Sequence, residues 1–466
     1  MTSTVSATGG TGFRVTVSAL TTAGNDLTSQ AGTLTSVHGS LTSTTLPATA
    51  FGSMPQSRQV AQTHSATMTR LTQDVNAEAK RTGTLATGLT TSATNYTQGD
   101  QTAAGYYKSL LDGAGTTSGT GSGVDSGPFG GQIAANRVKV ANALGTEQTN
   151  NANLKQRLAQ LQAQDQNLPV DDFGRPANQY QEEQISKQLA ASGQRISLYQ
   201  DILANNRKII DFDPSGDGRI AELIGNIGPN TKNVGVLVPG TFTNMSDFND
   251  YAKDAASFVN ANGNGNLAMV AWANGAFPQS LVPAAADPSY AQQSAPALAD
   301  FSHQLRDQIN QYAGPGNDVQ VTYAGHSYGG PIVGLAEQDG LDANRTLYVE
   351  SAGMGHNVWS PSDLHDMQSN VQRYAMTAPG DPIGAIQGVQ VFGIGHGADP
   401  NTFPGVTDLS TGNYANGQPI TGLAAHNGVL TPGSDAWRNM YGVFTGGPVT
   451  VKPPDPTFTD PSLFMQ

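Results

Sequence analysis

From residue 207 onward, short apolar runs alternate with stretches of helical periodicity, and this alternation limits the fold more than any other feature. "VGVLVPG" (234–240), "LAMVAWA" (267–273), "DVQVTYAG" (318–325), "RTLYVES" (345–351) and "VQRYAMTA" (371–378) read as strands, with helical stretches at 246–260, 293–313 and 330–338 between several of them. Strands apolar on both faces are covered on both faces, and parallel neighbours need helical crossovers. The pattern therefore predicts an α/β fold, a mostly parallel sheet covered by helices on both faces. Ligands of such sheets bind at the carboxyl ends of the strands. Ahead of these strands, "KIIDFD" and "RIAELIG" flank "PSGDG" and read as a hairpin at the sheet edge. The Asp213, Ser215 and Asp217 spacing echoes a calcium loop, but the remaining ligands and the terminal Glu are missing, so it reads as a turn and no metal is expected.

One of the strands runs straight into Gly325-His326-Ser327-Tyr328-Gly329, followed by the helical "GPIVGLAEQ". A serine between glycines at a sharp strand-to-helix turn is held in strained dihedrals with its hydroxyl exposed. Side chains at the flanking positions would collide with the neighbouring strand and helix. The chain has no cysteine, so a nucleophile must be an oxygen or an amine. A serine hydroxyl is weak near neutral pH and needs a histidine oriented by a carboxylate, which in this arrangement follow in the order Ser, acid, His. Asp381, in the Gly-Asp-Pro turn after "VQRYAMTA", is the preferred acid, with Glu350 at the end of the preceding strand in reserve. His426 fits the loop between a last strand, "GVTDLST" (405–411), and a last helix, "AWRNMYGVF", better than the earlier His396. Two backbone N–H groups are needed for the oxyanion: Tyr328 supplies one, and Thr241 or Phe242, after "VPG", the other.

Composition excludes several other functions. A formal charge of -13 without a basic stripe argues against nucleic acid as a partner. No run of about 18 apolar residues suggests a membrane span, and the first residues lack the charged and apolar regions of a Sec-type signal. No cofactor is expected.

The N-terminal part is different in kind. Leu20, Leu27, Leu34 and Leu41 recur every seven residues, and after a break at Leu46-Pro47 a second stripe runs through Val60, Met68, Leu71, Val75, Leu85 and Leu89. This predicts an antiparallel helical hairpin over 1–112. A Gly/Ser/Thr linker follows at 113–131, then a helical spacer or supporting layer at 132–206, the catalytic domain at 207–447 and a Pro-rich tail at 448–466.

"VGVLVPGTFTNMSDF", "AGHSYGGPIVG", "VESAGMG", "APGDPIG" and "AHNGVLTPGSDAWRNMYGVFTG" together resemble an actinobacterial α/β-hydrolase family catalogued as a domain of unknown function, over about residues 195–447. The resemblance implies an α/β-hydrolase fold with Ser327 as nucleophile, Asp381 as acid and His426 as base. "SAGMGHNVWSPSDLHDM" (351–367) stands where that fold inserts a lid, so Met354, Val358, Trp359 and Leu364 are candidates for an acyl pocket. "GFRVTVSAL" and Tyr96-x-x-x-Asp100 are similar to the small helical EspC-like proteins of type VII (ESX) secretion, without their Trp-x-Gly turn. This implies export to the cell envelope or beyond through a secretion partner, or a cytoplasmic place if the likeness is not functional. The expected activity is hydrolysis of carboxylic esters, of lipid or acyl type, through an acyl-enzyme. Acyl transfer to another alcohol, or a binding module on a hydrolase fold with negligible turnover, stays open.

Overall fold

The structure, a computed structural model, describes residues 17–43, 50, 60–80, 82–83, 86–87, 127–165, 178–281, 284–314, 316–391 and 393–453. The chain falls into two compact units, Met1–Gly119 and Thr120–Gln466. In the first, α1 (Val17–Ser43) and α2 (60–80) are helical despite their many Thr and Ser residues. Hydroxyls such as those of Thr28 and Thr35 bond back to the carbonyls of Gly24 and Ala31, each at 2.8 Å, which satisfies the polar groups within the helix. Leu27, Leu34 and Leu41 are half-buried, as are Met68 and Val75, whereas Val60 and Leu71 are exposed. The Leu46-Pro47 break, Leu85, Leu89, Tyr96, Asp100 and most of the expected linker lie outside the described residues.

The second unit is packed almost from the start of its described course. Phe129 is buried, stacks on Phe301 with ring centroids 6.2 Å apart, and donates its N–H to Gln308 Oε1 at 2.7 Å. Residues 129–131, expected to close a linker, are thus already part of the folded body. From there α3 (Gly130–Asp165) and α4 (Gln179–Ala204) run side by side. Asn136 of α3 donates to the carbonyl of Ile209 at 3.1 Å, and Tyr199 of α4 meets the Phe212 ring edge-on. The Gln- and Asn-rich pair is therefore a supporting layer against the sheet.

The sheet has eight strands. β1 (Lys208–Asp213) and β2 (Arg219–Ile224) form the antiparallel hairpin, and β2 continues antiparallel onto β4 (Leu267–Ala273). β3 (Asn233–Val238), β5 (Gln320–His326), β6 (Arg345–Val349), β7 (Gln372–Met376) and β10 (Val406–Asp408) extend it in parallel, in the order β1-β2-β4-β3-β5-β6-β7-β10. A small ribbon, β8 (Gln390–Val391) with β9 (Ile394–Gly395), stands apart. Every residue of β3 and β4 is buried, as their unbroken apolar sequences require. α5 (Phe248–Ala261) and α9 (Asp435–Thr445) pack together through Phe258 and Trp437, stacked at 4.9 Å, while α6 (Ser289–Tyr312) pairs with α7 (Gly329–Gln338). Asp213, in the turn between β1 and β2, accepts from the N–H and hydroxyl of Ser215 and pairs with Arg219, so its oxygens are engaged by the turn itself.

The register matters most for function. His326 lies beside Val349, and Val349 beside Met376. The first residues past three adjacent strands therefore stand level, which puts Ser327, Glu350 and the turn leading to Asp381 at one edge. Beyond α9 the chain returns to the sheet: Ser410 N–H donates to Thr450 O and Lys452 N–H to Asp408 O, both at 2.9 Å, and Leu409 bridges Val451 in antiparallel sense.

Candidate active site

Ser327 is forced into position by its neighbours. It has φ +55°, a left-handed conformation rare for a non-glycine residue, while its N–H is held by Val349 O at 2.9 Å. A Cβ on Gly325 would fall 2.4 Å from Gly329 O, and one on Gly329 would fall 2.2 Å from Val238 O. Only glycines allow the strand, the turn and α7 to pack this closely.

His426, on the short helix α8 (Ala425–Gly428), bridges Ser327 and Asp381. Its Nε2 is 2.8 Å from Ser327 Oγ and its Nδ1 is 2.8 Å from Asp381 Oδ2. In the neutral ring, Nδ1–H donates to the carboxylate and Nε2 accepts a hydrogen bond from the Ser327 hydroxyl. Asp381 serves as both turn residue and partner: Oδ1 accepts from Ile383 N–H at 2.8 Å, leaving Oδ2 for His426. His396 does not join the group. It is buried elsewhere, with Nε2 donating to Ala285 O at 2.8 Å, and burial lowers its basicity.

Gly240 packs directly on the serine, since a Cβ there would sit 2.6 Å from Ser327 Cβ and 3.0 Å from Oγ. The N–H groups of Tyr328 and Thr241 have no hydrogen-bond partner among the described residues. Phe242 is a correction to the sequence reading. It turns through φ +70° and its N–H donates to Pro278 O at 2.7 Å, so that amide is not open to an oxyanion.

The expected lid is a second correction. Residues 351–367 start against the main chain of the serine, with Ala352 N–H donating to Ser327 O at 3.1 Å, and then run along α7: Met354 O packs where Gly334 lacks a side chain, His365 N–H donates to Glu337 O and Met367 N–H to Leu341 O. Met354 and Val358 are buried in the core, Leu364 packs against it, and Trp359 points to solvent at 47% exposure. The nearby cavity, about 290 Å³, is lined by Gln292, Leu335, His356 and Asn357 among others and does not include Ser327.

Sequence reasoning left His326 without a role beyond its place in the turn. The ring is buried and Nε2–H donates to the main-chain carbonyl of His426 at 2.7 Å, so the residue before the serine holds the loop carrying the histidine. Burial, and then the proximity of His426, push its pKa down to about 4. Glu350, the reserve acid, is fully buried beside Asp381. Glu350, Asp381 and His426 bring ligand atoms within 4.8 Å of one another, but both ring nitrogens of His426 are already engaged, so the set offers no free imidazole to a metal ion.

Residues 213–391 match a family model described as alpha/beta hydrolase. The fold is that of an α/β hydrolase. The matched segment contains Ser327, Glu350 and Asp381 of this α/β-hydrolase domain and stops short of His426. Among solved structures, the chain is similar to a dienelactone hydrolase-like promiscuous phosphotriesterase from metagenomic libraries, at 12% identity and a TM-score of 0.31, over 52% of this chain and 97% of that one. It is also similar to an esterase from the archaeon Pyrobaculum calidifontis (12% identity, TM-score 0.25, 50% and 80% covered). A thermostable carboxyl esterase from Bacillus coagulans follows (13%, TM-score 0.20, 32% and 44%). Such distant likeness speaks to neither substrate nor residue roles. No curated protein matches the chain.

Proposed function

We propose that the protein is a serine hydrolase that cleaves carboxylic esters, of lipid or acyl type, through an acyl-enzyme. The observation that carries this reading is His426, within 2.8 Å of Ser327 Oγ on one side and of Asp381 Oδ2 on the other. Ser327 Oγ attacks the ester carbonyl carbon as its proton passes to His426 Nε2, and Asp381 steadies the resulting imidazolium. The negative charge moves to the carbonyl oxygen, where the amides of Tyr328 and Thr241 receive it. As the carbon–oxygen bond to the alcohol breaks, His426 returns its proton to the departing oxygen. Water, activated by the same histidine, then attacks the acyl-serine and releases the acid. Phe242, next to Thr241 in the loop that packs on the serine, and Leu423, shortly before His426 in the chain, are large apolar side chains 48% and 78% exposed, which supports an acyl chain as the part of the substrate they meet.

The test is labelling of the full chain with a fluorophosphonate probe. Labelling is expected in the wild type and in His396→Ala, and is expected to disappear in Ser327→Ala and fall sharply in His426→Ala. Folded wild-type protein that takes no label would favour a binding module instead.

A further inference from the structure

Glu350 is the one acid at this edge with no assigned work, and its surroundings are unusual. It follows β6 at φ +43°, a strained left-handed conformation for a residue with a side chain, and its N–H is fixed to Met376 O at 2.9 Å. The carboxyl is fully buried. Oε1 accepts from Ala378 N–H at 2.8 Å, and Ala378 O in turn accepts from Asp381 N–H, so Glu350 grips the turn that presents Asp381. Oε2 meets no donor, and among the described residues no Lys or Arg pairs with Glu350. The groups facing it are Asp381 and His426, with His326 against the His426 ring.

Two carboxylates cannot both be ionised at such a distance in a dry site without a cation between them. A single proton between them turns repulsion into a hydrogen bond. It belongs on Glu350, because Asp381 already faces two donors, Ile383 N–H and His426 Nδ1–H. Burial first, and then the hydrogen bond to Asp381, raise the Glu350 carboxyl to about 9, in agreement with that geometry.

We propose that Glu350 is a positioning residue, a neutral acid whose hydroxyl donates to the Asp381 carboxylate and holds it against His426. The proposal rests on the triad reading above. Glu350 does not touch the substrate; it acts through Asp381. From its strained backbone the carboxyl meets Ala378 N–H on the turn that follows β7.

Two measurements on the full chain test it. In infrared difference spectra at pH 7, wild type minus Glu350→Gln should show the C=O stretch of a protonated carboxylic acid. Absence of that band would overturn the proposal whatever the enzyme assay gives. In hydrolysis of p-nitrophenyl butyrate, Glu350→Gln, which keeps a neutral donor, should hold kcat within about threefold while losing the wild-type decline above about pH 9. Glu350→Leu should lower kcat on the order of tenfold or more with KM little changed, the range for groups that orient a working side chain. Equal losses in the Gln and Leu variants, or none in the Leu variant, would sink the idea. Wild type that shows the band but hydrolyses no ester would leave the proton on Glu350 and refute the triad reading instead.

Discussion

Replacing His326 with Gln should flatten the protein's loss of stability in acid. In the folded state the ring is held neutral, with a pKa pushed from 6.5 down to about 4, while in the unfolded chain it titrates normally. Between those values the unfolded state binds a proton that the folded state refuses, so stability is complete above pH 6.5 and drains away as pH falls toward 4. The full effect is about 3 kcal/mol, of which about 2 kcal/mol falls between pH 7 and pH 5. His326 is 93% buried by area, so solvent screening takes little from this figure. The Gln amide can still donate to His426 O, and the other titrating groups act equally in both proteins and cancel. The assay is urea unfolding at pH 7 and pH 5 followed by tryptophan fluorescence. All three tryptophans, Trp272, Trp359 and Trp437, lie in Thr120–Gln466, and two of them are buried, so the signal reports on the hydrolase body. Wild type should lose about 2 kcal/mol more than the variant between the two pH values. Losses that agree within about 0.5 kcal/mol would refute the reasoning.

Asp381→Asn should leave the fold intact and lower kcat by about 10⁴-fold, because the amide cannot hold the required tautomer of His426; steady-state hydrolysis with a circular dichroism control decides it. Gly240→Ala puts a methyl 2.6 Å from Ser327 Cβ and must displace the loop that carries the Thr241 amide. It should cost about 10² to 10³ in kcat, as loss of an oxyanion donor does, and near-normal turnover would remove Thr241 from that role.

The strand–turn–helix around Ser327 is legible in sequence because its side-chain period changes from two to three or four across glycines that tolerate no Cβ. Asp381 and His426 stand out from Glu350 and His396 through chain order together with place, one in the turn after a strand and the other in the loop before the last helix. That Glu350 lies against Asp381 follows from the register of β6 on β7, Val349 beside Met376, which no local pattern encodes. The bond from His326 to the His426 carbonyl spans 100 residues and leaves no trace at the free position of G-x-S-x-G. Met354 and Val358 mislead because apolar residues in a Gly-rich loop look the same whether they cover a ligand or helix α7. The Phe242 amide misleads because a φ of +70° at a residue with a side chain is set by the loop closing onto Pro278. Packing and register, rather than propensity, decide each of these.

The return of the chain along β10 changes how the molecule meets other molecules. β10 ends the sheet order, and a final strand with unpaired amides and carbonyls is a template for aggregation. Thr450 and Lys452 occupy two groups at the end of that strand, Ser410 N–H and Asp408 O, and Pro453 and Pro454, which have no N–H to offer, follow at once. What reads in sequence as the start of a Pro-rich tail is a guard on the open edge of the sheet, and a chain cut at Gly447 would present a sticky strand to its own copies.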